Sequence, residues 1–248
     1  MMSPEPETAL LRIGAVTKRF GGFIALDNVS VDIRPGERFG LIGPNGSGKT
    51  TLINCISGAL RADLGSVIFR GEDITGLPAH IRTRRGIARG FQIPRPFKSM
   101  TVAENLMVAL DFAAVGDDYV AAAHRRDIVM SILTQTGLAS KADLPTTGLS
   151  QVELRKMELA RAMATHPKLL ISDEAMAGLS SSEVDEVLDL LINLAAQGIT
   201  IIMIEHIMQA VMRFSERVMC LEAGKIIAIG APAEVMANQR VQEAYLGT

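Results

Sequence analysis

One stretch of the sequence has the residue types and spacing needed to hold a phosphate group. Residues 43–50 read Gly-Pro-Asn-Gly-Ser-Gly-Lys-Thr and match the pattern GxxxxGK[ST] without a mismatch. In this pattern main-chain N–H groups turn inward to a phosphate, Lys49 adds a positive charge for the outer phosphates, and the Thr50 hydroxyl can ligate Mg²⁺. The candidate nucleotide-binding residues are Gly43, Pro44, Asn45, Gly46, Ser47, Gly48, Lys49, Thr50 and Thr51. The pattern predicts a site for a nucleoside triphosphate, but kinases, GTPases and transport ATPases share it.

A second stretch ends in two carboxylates. Residues 169–174 are mostly apolar and close with Asp173 and Glu174. A buried strand of this kind would bring Asp173 beside Mg²⁺ and turn Glu174 toward an attacking water molecule. Acidic residues at strand ends are usually just solvated, so the pair carries weight only together with the phosphate loop. The two stretches together predict a site for a metal ion and a water molecule.

The elements around the phosphate loop have the order that such a loop needs. Strand-forming residues are frequent over residues 11–31, and residues 38–42 form a short apolar run that ends at the loop. The sequence predicts a helix over residues 50–60, directly after the loop. A turn at residues 63–65 and a strand over residues 66–69 are expected to follow. The first third of the chain is therefore predicted to be mixed α/β.

The middle of the chain changes character. Residues 103–144 are mostly alanine, leucine, methionine and charged residues without an alternating apolar pattern, which predicts several helices in a lobe of their own. After Pro167, strand-like and helix-like stretches alternate, as they do in parallel βαβ units. In order, these are strand 169–171, helix 182–196, strand 199–204, helix 208–214, a hairpin of strands 218–221 and 225–229, and a final helix 233–245. The sequence therefore predicts an α/β fold in which a helical insertion interrupts a mainly parallel sheet.

The composition favours one globular domain in a reducing compartment. Of the 248 residues 48% are apolar and 4% aromatic, and the net charge is -2 without any block of like charge that would indicate nucleic acid as a partner. Cys55 and Cys220 lack redox or metal-binding spacing, so we expect two buried free thiols. Residues 1–8 do not resemble a signal peptide, and polar residues interrupt the apolar stretch 188–204. We therefore expect a cytosolic protein that does not cross the membrane.

Further stretches resemble, in the same order along the chain, the motifs of ATP-binding-cassette (ABC) ATPases. Phe20 matches the aromatic residue that stacks on adenine in that family. Gln92 matches the glutamine that touches the metal ion and links the core to the helical lobe. Residues 178–180 resemble the D-loop, and His206 matches the switch histidine that senses the γ-phosphate. The resemblance covers nearly the whole chain.

The signature motif of that family is present in an altered form. Residues 149–153 read Leu-Ser-Gln-Val-Glu where the family has LSGGQ, so Val152 replaces the second glycine. In the family this segment contacts the ATP of the opposite subunit, which would be the role of Ser150 and Glu153. These two residues also form a capping-box pattern, which needs no nucleotide, and both interpretations can hold. Since Val152 would act on the partner's ATP, we expect pairing with a different ATPase and two unequal sites. Ser180, where the D-loop usually has aspartate, is a second departure.

The resemblance implies a fold and a reaction. The fold is a P-loop ABC-ATPase domain over residues 9–247, with an N-terminal antiparallel β subdomain, a core lobe at residues 9–92 and 161–247, and an inserted α-helical subdomain at residues 93–160. The reaction is hydrolysis of ATP with Mg²⁺ as the metal cofactor. The implied catalytic residues are Lys49, Gln92, Glu174 and His206, and the implied metal ligands are Thr50, Gln92 and Asp173.

The end of the chain is informative about the subfamily. Residues 243–247, Glu-Ala-Tyr-Leu-Gly, together with residues 20–22 and 204–206, resemble the ATPases of branched-chain amino acid importers. The resemblance implies a peripheral subunit on the cytoplasmic face of the inner membrane. Its implied partners are integral membrane permease subunits, a second ATPase and a solute-binding protein. Residues 92–105 are the candidate surface for the permease, and a simple loop between the lobes is the alternative.

Three other functions remain open at this point. An ABC ATPase that works outside transport would carry two cassettes, a long coiled coil or basic extensions, and none of these features is evident in the sequence. A P-loop kinase or GTPase would not be expected to contain the series from Gln92 to His206. A mainly regulatory cassette with weak hydrolysis is favoured by Val152 and disfavoured by the intact Lys49 and Glu174.

Overall fold

The computed structural model describes residues 9–90, 94–113 and 122–246, and these residues contain ten strands and nine α-helices. The strands are β1 Leu11–Phe20, β2 Phe23–Ile33, β3 Arg38–Ile42, β4 Leu64–Phe69, β5 Glu72–Asp73, β6 Ile87–Gly90, β7 Leu169–Asp173, β8 Thr200–Ile204, β9 Arg217–Glu222 and β10 Lys225–Gly230. The helices are α1 Lys49–Ser57, α2 Ala79–Arg84, α3 Val102–Ala113, α4 Ala122–Gln135, α5 Gln151–Met163, α6 Ser181–Ala196, α7 Met208–Phe214, α8 Pro232–Ala237 and α9 Gln239–Leu246.

The strands form two sheets. The smaller sheet is antiparallel with the order β2-β1-β4-β5, and the larger has the order β10-β9-β3-β8-β7-β6. In the larger sheet only β10 runs antiparallel to its neighbour. Strand β3 lies between β8 and β9, so that Leu41 pairs with both Ile204 and Met219. The carboxyl ends of parallel strands meet at one edge of a sheet, and the loops that follow β3, β7 and β8 therefore lie close together.

Helix α1 packs between the two sheets. Its residues Leu52 and Ile53 are buried in one apolar cluster with Val29 of the antiparallel sheet and Ile171 of the parallel sheet. Strands β3, β7 and β8 are buried on both faces, which explains why their sequences are almost continuously apolar. The helix that follows the phosphate loop is thus fixed by both sheets.

A buried arginine of α2 completes the far end of α1. Helix α1 ends at Ser57 because Gly58 adopts a left-handed φ of 81°. Arg82, which is 1% exposed, donates from one guanidinium nitrogen to the carbonyl oxygens of Cys55 and Ile56 at 2.6 and 2.8 Å. Carbonyls in the last turn of a helix have no partner within the helix, so the guanidinium supplies the missing donors.

Helices α3, α4 and α5 form the helical lobe and pack together on one side of the parallel sheet. Leu106 of α3, Leu133 of α4 and Met157 of α5 are buried in a cluster that also includes Leu170 of β7. The predicted helical insertion is confirmed. Helix α4 lies within the predicted stretch 103–144, and α3 begins one residue before it, at Val102. None of the helices in the described ranges is long and apolar enough to span a bilayer.

Most elements agree with the sequence-based predictions. The strand Arg38–Ile42 and the helix Met208–Phe214 have the predicted bounds, and the closing hairpin is present as β9 and β10. Cys55 and Cys220 are buried free thiols, as expected.

Four details of the predicted elements were wrong or missed. The predicted final helix is two helices, because Asn238 adopts an extended conformation between α8 and α9. The predicted turn at residues 63–65 was misplaced, since Leu64 already belongs to β4. The predicted helix 50–60 ends three residues early, at Ser57, because Gly58 caps it. Helix α2 and strands β5 and β6 were missed, because all three are short and β6 is interrupted by Arg89.

Candidate functional site

The phosphate loop connects the end of β3 with the start of α1. Gly48, directly before the helix, has a φ of 106°. A Cβ atom at this position would lie 2.6 Å from the carbonyl oxygen of Ala25, so a side chain would force the loop away from β2. The loop therefore makes a tight turn that requires glycine at position 48, and a turn of this kind can direct N–H groups toward a phosphate.

The lysine of the loop is held inside it. Lys49 is 7% exposed, and its ammonium group donates to the carbonyl oxygens of Gly43 and Pro44 at 2.7 and 3.0 Å. Burial lowers the pKa of Lys49, and the nearby carboxylates of Glu174 and Asp173 partly offset this effect. The charge of the lysine thus interacts with both the loop backbone and the two candidate carboxylates.

The two predicted carboxylates lie at the end of β7. Asp173 is the last residue of the strand, and Glu174 follows with a left-handed φ of 47°. Such a conformation is uncommon for a residue with a side chain and is often found at functional sites. The Glu174 N–H donates to the carbonyl oxygen of Ile204 at 2.9 Å, which fixes the turn on β8. His206 Nε2 lies 3.0 Å from Glu174 Oε1, so two residues singled out from separate stretches are in direct contact.

A further carboxylate links the turn after β7 to the turn after β8. Glu205 is 2% exposed, and its Oε1 accepts a hydrogen bond from the N–H of Met176 at 3.0 Å. Burial raises the pKa of Glu205 to about 7, and the hydrogen bonds from the main chain only partly oppose this shift. Glu205 was not predicted as a site residue, because nothing in the neighbouring sequence indicates that its side chain turns inward.

Arg89, which was not predicted as a site residue, forms an ion pair with Asp173. Arg89 on β6 donates to Asp173 Oδ2 at 2.6 Å and to Asn54 Oδ1 of α1 at 2.6 Å. Both partners of the ion pair are largely buried, with side-chain exposures of 15% and 12%. The phosphate-loop helix and the strand that ends in Asp173 are therefore joined by one guanidinium group. An isolated arginine in a short apolar stretch gives no signal in the sequence.

Most of the predicted nucleotide-binding residues line a common cleft, but Gly43 and Pro44 are not among its lining residues. The cleft has a volume of about 260 Å³ and lies over the phosphate loop. It is lined by Phe20, Phe23, Ala25, Asn45, Gly46, Ser47, Gly48, Lys49, Thr50, Thr51, Glu174 and His206. Phe20 and Phe23 face each other across the β1–β2 turn and are 48% and 62% exposed. Phe23 was missed, although the two-residue turn after Phe20 predicts that the two rings are paired neighbours.

The signature residues lie outside this cleft. Ser150 and Glu153 begin α5 as a capping box: the Glu153 N–H donates to Ser150 Oγ, and the Ser150 N–H donates to Glu153 Oε2 at 2.8 Å. The predicted capping box is thus present. Lys141 lies 2.5 Å from Glu153 Oε1, and this hydrogen bond lowers the pKa of Glu153. Val152 packs against the apolar cluster of the helical lobe. Ser180 likewise begins α6 as part of a capping box.

Gln92 lies outside the described residues, as do its neighbours from 91 to 93. The rest of the candidate permease surface is described. On it, Phe97 is 42% exposed, and the guanidinium group of Arg161 lies over its ring at 5.2 Å from the centroid. This part of the candidate surface therefore combines an exposed aromatic ring with a cationic group.

The oxygen atoms near the phosphate loop suit Mg²⁺, which prefers hydroxyl, carboxylate and phosphate oxygens. The candidate donors are the Thr50 hydroxyl and the Asp173 carboxylate. Among the described residues no group of three or more His, Cys, Asp or Glu side chains forms a complete metal site. The donor set therefore fits an ion that takes most of its ligands from phosphate and water, as Mg²⁺ does in phosphoryl-transfer sites.

The fold and the site define a class of protein. A parallel sheet with a phosphate loop between β3 and α1, and a carboxylate pair at the end of a nearby strand, is the arrangement of a P-loop nucleoside triphosphatase. An antiparallel subdomain before it and a helical insertion within it narrow the class to the ATP-binding cassettes.

Comparison with known proteins supports the assignment to the ATP-binding cassettes. The profile of the ABC transporter family matches residues 26–177, and that of the branched-chain amino acid ATP-binding cassette transporter family matches residues 225–248. A probable branched-chain amino acid transport ATP-binding protein LivG of Archaeoglobus fulgidus is 37% identical over 247 residues, which cover 96% of this chain and 95% of that protein. The high-affinity LivG of Salmonella typhimurium is 37% identical over 249 residues, covering 96% and 98% of the two chains.

A solved structure, the ADP conformation of MJ1267, an ATP-binding cassette of an ABC transporter, superimposes with a TM-score of 0.88. It is 34% identical in sequence, and the match covers 97% of this chain and all of that one. The chain belongs to the ATP-binding subunits of the ABC transporter family and is an ATPase.

Proposed function

We propose that the chain is the ATP-hydrolysing subunit of an importer for branched-chain or related amino acids. The observation that carries the ATPase part is the cleft in which the phosphate loop meets the pair of Glu174 and His206. The solute is proposed from residues 225–248, which match a branched-chain amino acid transporter profile, and from the printed names of the relatives. The solute itself would not contact this subunit.

The residues of the cleft suggest how hydrolysis proceeds. Main-chain N–H groups of the loop and Lys49 bind the β- and γ-phosphates, and the exposed ring of Phe20 stacks on adenine. Thr50, Asp173 and Gln92 would hold Mg²⁺, which supplies positive charge that stabilises the transferred phosphoryl group. The Glu174 carboxylate orients the attacking water by accepting a hydrogen bond from it.

His206 contributes through its position beside Glu174. At 3.0 Å, one imidazole nitrogen hydrogen-bonds to the carboxylate and limits its rotation. We propose that the other nitrogen faces the γ-phosphate and responds to its presence or loss. The hydrogen bond from the Glu174 N–H to the Ile204 carbonyl oxygen supports this assignment, because it keeps the carboxylate and the imidazole at the same edge of the sheet.

We further propose that the second ATPase of the complex is a different chain. In this family the signature of one subunit completes the site of the other. Here the N-terminus of α5 already holds the carboxylate of Glu153, which Lys141 and the Ser150 N–H fix in place. A negative charge at this helix end opposes an incoming γ-phosphate, and Val152 removes the second glycine of the motif. The site that this signature completes is therefore the weaker of the two.

The partners follow from the same family membership. We propose that the chain binds integral membrane permease subunits through the surface between its lobes, residues 92–105, where Phe97 is exposed. The complex would place it on the cytoplasmic face of the inner membrane and include a solute-binding protein. The sequence suggests a core lobe at residues 9–92 and 161–247 and a helical lobe at residues 93–160. With this division, residues 92–105 lie where the core lobe passes into the helical lobe.

Two substitutions test the ATPase assignment in the assembled transporter. We expect Lys49→Ala to abolish detectable nucleotide binding and hydrolysis, and Glu174→Gln to retain binding but lower hydrolysis by on the order of a hundredfold or more. Lys168→Ala is the matched control, because Lys168 is exposed at the opposite end of β7. Unchanged affinity and turnover in Lys49→Ala would remove the basis of the proposal.

A second experiment separates the importer ATPase from a mainly regulatory cassette, which Val152 favours. The residue equivalent to Glu174 is changed to glutamine in one ATPase of the complex at a time. If the sites are unequal, the two changes should reduce transport to different extents. Equal losses would contradict the unequal pair, and no loss on changing Glu174 of this chain would favour the regulatory role.

A further inference from the structure

The C-terminal segment of the chain reaches back to the phosphate loop, and the hydrolysis described above uses none of it. Helix α9 ends beside the loop, and the hydroxyl of its Tyr245 accepts a hydrogen bond from the N–H of Gly43 at 2.8 Å. The residues in contact are 202 positions apart in the sequence. The last helix of the fold therefore meets the first residue of the nucleotide-binding loop.

Gly43 is a sensitive point of the loop. It is buried, it has a φ of 144°, and a Cβ at this position would lie 2.1 Å from the carbonyl oxygen of Leu221. A buried main-chain N–H without a partner is costly, and the tyrosine hydroxyl supplies the partner. The carbonyl of the same residue accepts the ammonium group of Lys49 at 2.7 Å. Tyr245 and Lys49 thus bind opposite sides of one residue.

The same C-terminal segment also contacts the loop at a second point. In the turn between β9 and β10, the N–H of Gly224 donates to the carbonyl oxygen of Ser47 at 2.9 Å, and the Gly224 carbonyl accepts from the N–H of Asp27 at 2.9 Å. Helix α9 is anchored by Val241, which is 1% exposed and lies in an apolar cluster with Ile42, the residue before the loop. The loop is therefore held at both residue 43 and residue 47.

We propose that Tyr245 is a positioning residue for nucleotide binding, and that α9 fixes the phosphate loop in its binding geometry through the hydroxyl of this side chain. The inference rests on the proposed role of the loop in binding nucleotide. Tyr245 contacts no atom that reacts, so its effect is on the affinity for nucleotide and not on the chemical step. Without the hydroxyl, the Gly43 peptide is free to rotate, and nucleotide binding must then restore its orientation.

The hydroxyl stays protonated under all ordinary conditions. Burial raises the pKa of Tyr245 to about 12, although the hydrogen bond from Gly43 works in the opposite direction. The contact is therefore between a neutral phenol and a main-chain amide, and it does not vary with pH near neutrality.

The test compares Tyr245→Phe, which keeps the ring, with Arg240→Ala, an exposed control on the same helix. Nucleotide affinity is measured by calorimetric titration of the full chain with ADP, and kcat and KM for ATP are measured in the assembled transporter. We expect Tyr245→Phe to raise both Kd and KM about fivefold, the effect of one net hydrogen bond, with kcat within about twofold of the wild type. Arg240→Ala should leave all three unchanged.

Hydrogen exchange provides an independent measurement. The Gly43 amide should exchange slowly in the wild type and at least tenfold faster in Tyr245→Phe. By reciprocity, ADP should slow exchange in α9 of the wild type more than in the variant. A Kd for Tyr245→Phe within 1.5-fold of the wild type, or equal protection of Gly43, would overturn the inference. If Lys49→Ala also binds ADP normally, the proposed function has failed, whereas normal binding by Tyr245→Phe alone refutes only the role of Tyr245.

Discussion

Arg82 allows a quantitative prediction about stability. Its guanidinium group is buried and donates to four main-chain carbonyl oxygens, those of Cys55, Ile56, Leu77 and Thr75, at 2.6 to 3.0 Å. The side chain is 1% exposed, and burial lowers its pKa. Because the acceptors belong to the main chain, a substitution at Arg82 leaves them in place without a donor. This case differs from an ion pair, in which both partners can be replaced.

The expected loss follows from these four acceptors. A buried group left without its hydrogen bond costs about 1–3 kcal/mol, and four carbonyls at the lower limit give about 4 kcal/mol. A domain is stable by about 5–15 kcal/mol in total, so Arg82→Met should remove a large share of the free energy of unfolding. Arg82→Lys keeps the charge and some of the hydrogen bonds, and we expect about half the loss. For a domain of this size, 4 kcal/mol corresponds to a fall in Tm of about 8–16 °C.

The assay is urea unfolding followed by far-ultraviolet circular dichroism, since the chain has no tryptophan. Arg84→Met is the matched control, because Arg84 lies on the same helix but is exposed and contacts the ring of Phe112 at 5.2 Å. The control should lose less than about 1 kcal/mol. The reasoning is refuted if Arg82→Met is within 1 kcal/mol of the wild type, or if Arg82→Lys is the less stable of the two.

Two further predictions concern the candidate site. Folding raises the pKa of Glu205 from 4.5 to about 7. Between pH 4.5 and pH 7 the folded protein therefore holds a proton that the unfolded chain has lost, and the free energy of unfolding falls as the pH rises. Glu205→Gln removes this pH dependence. The unfolding free energy of the variant, measured by urea titration relative to the wild type, should therefore rise by about 2.5 kcal/mol from pH 5 to pH 8. A difference that stays constant over this pH range would contradict the buried carboxylate. Arg89→Met removes the ion pair that holds the Asp173 carboxylate, so ATP turnover should fall on the order of tenfold. The affinity for ADP without metal should stay unchanged. Arg89→Lys should recover part of the turnover. Equal turnover in Arg89→Met and the wild type would show that Asp173 needs no such support.

The sequence was sufficient for those parts of the fold and site that depend on local patterns. The phosphate loop, the end of β7 and the capping box at Ser150 could be predicted because each function requires particular residue types at fixed spacing. The roles of the individual site residues stay predictions. The break at Asn238 could not be predicted, because the sequence on both sides of it favours helix.

Other contacts depend on the tertiary fold and leave no mark in the sequence. Arg82 and Arg89 resemble ordinary surface arginines until the fold brings carbonyls or carboxylates to them. The contact between Tyr245 and Gly43 joins residues 202 positions apart, and only the packing of α9 against the sheet reveals it. The sequence marked the final residues as characteristic of a subfamily without indicating what they touch.

The position of β3 in its sheet affects how the protein is made. Its hydrogen-bonding neighbours β8 and β9 begin at Thr200 and Arg217, more than 150 residues later in the chain. While the ribosome is still producing the helical lobe, the loop after β3 has no flanking strands to support it. Contacts this distant in sequence slow folding and prolong the exposure of apolar strands. A nascent chain should therefore acquire its nucleotide-binding loop only when synthesis is nearly complete, and shortened products should depend on chaperones.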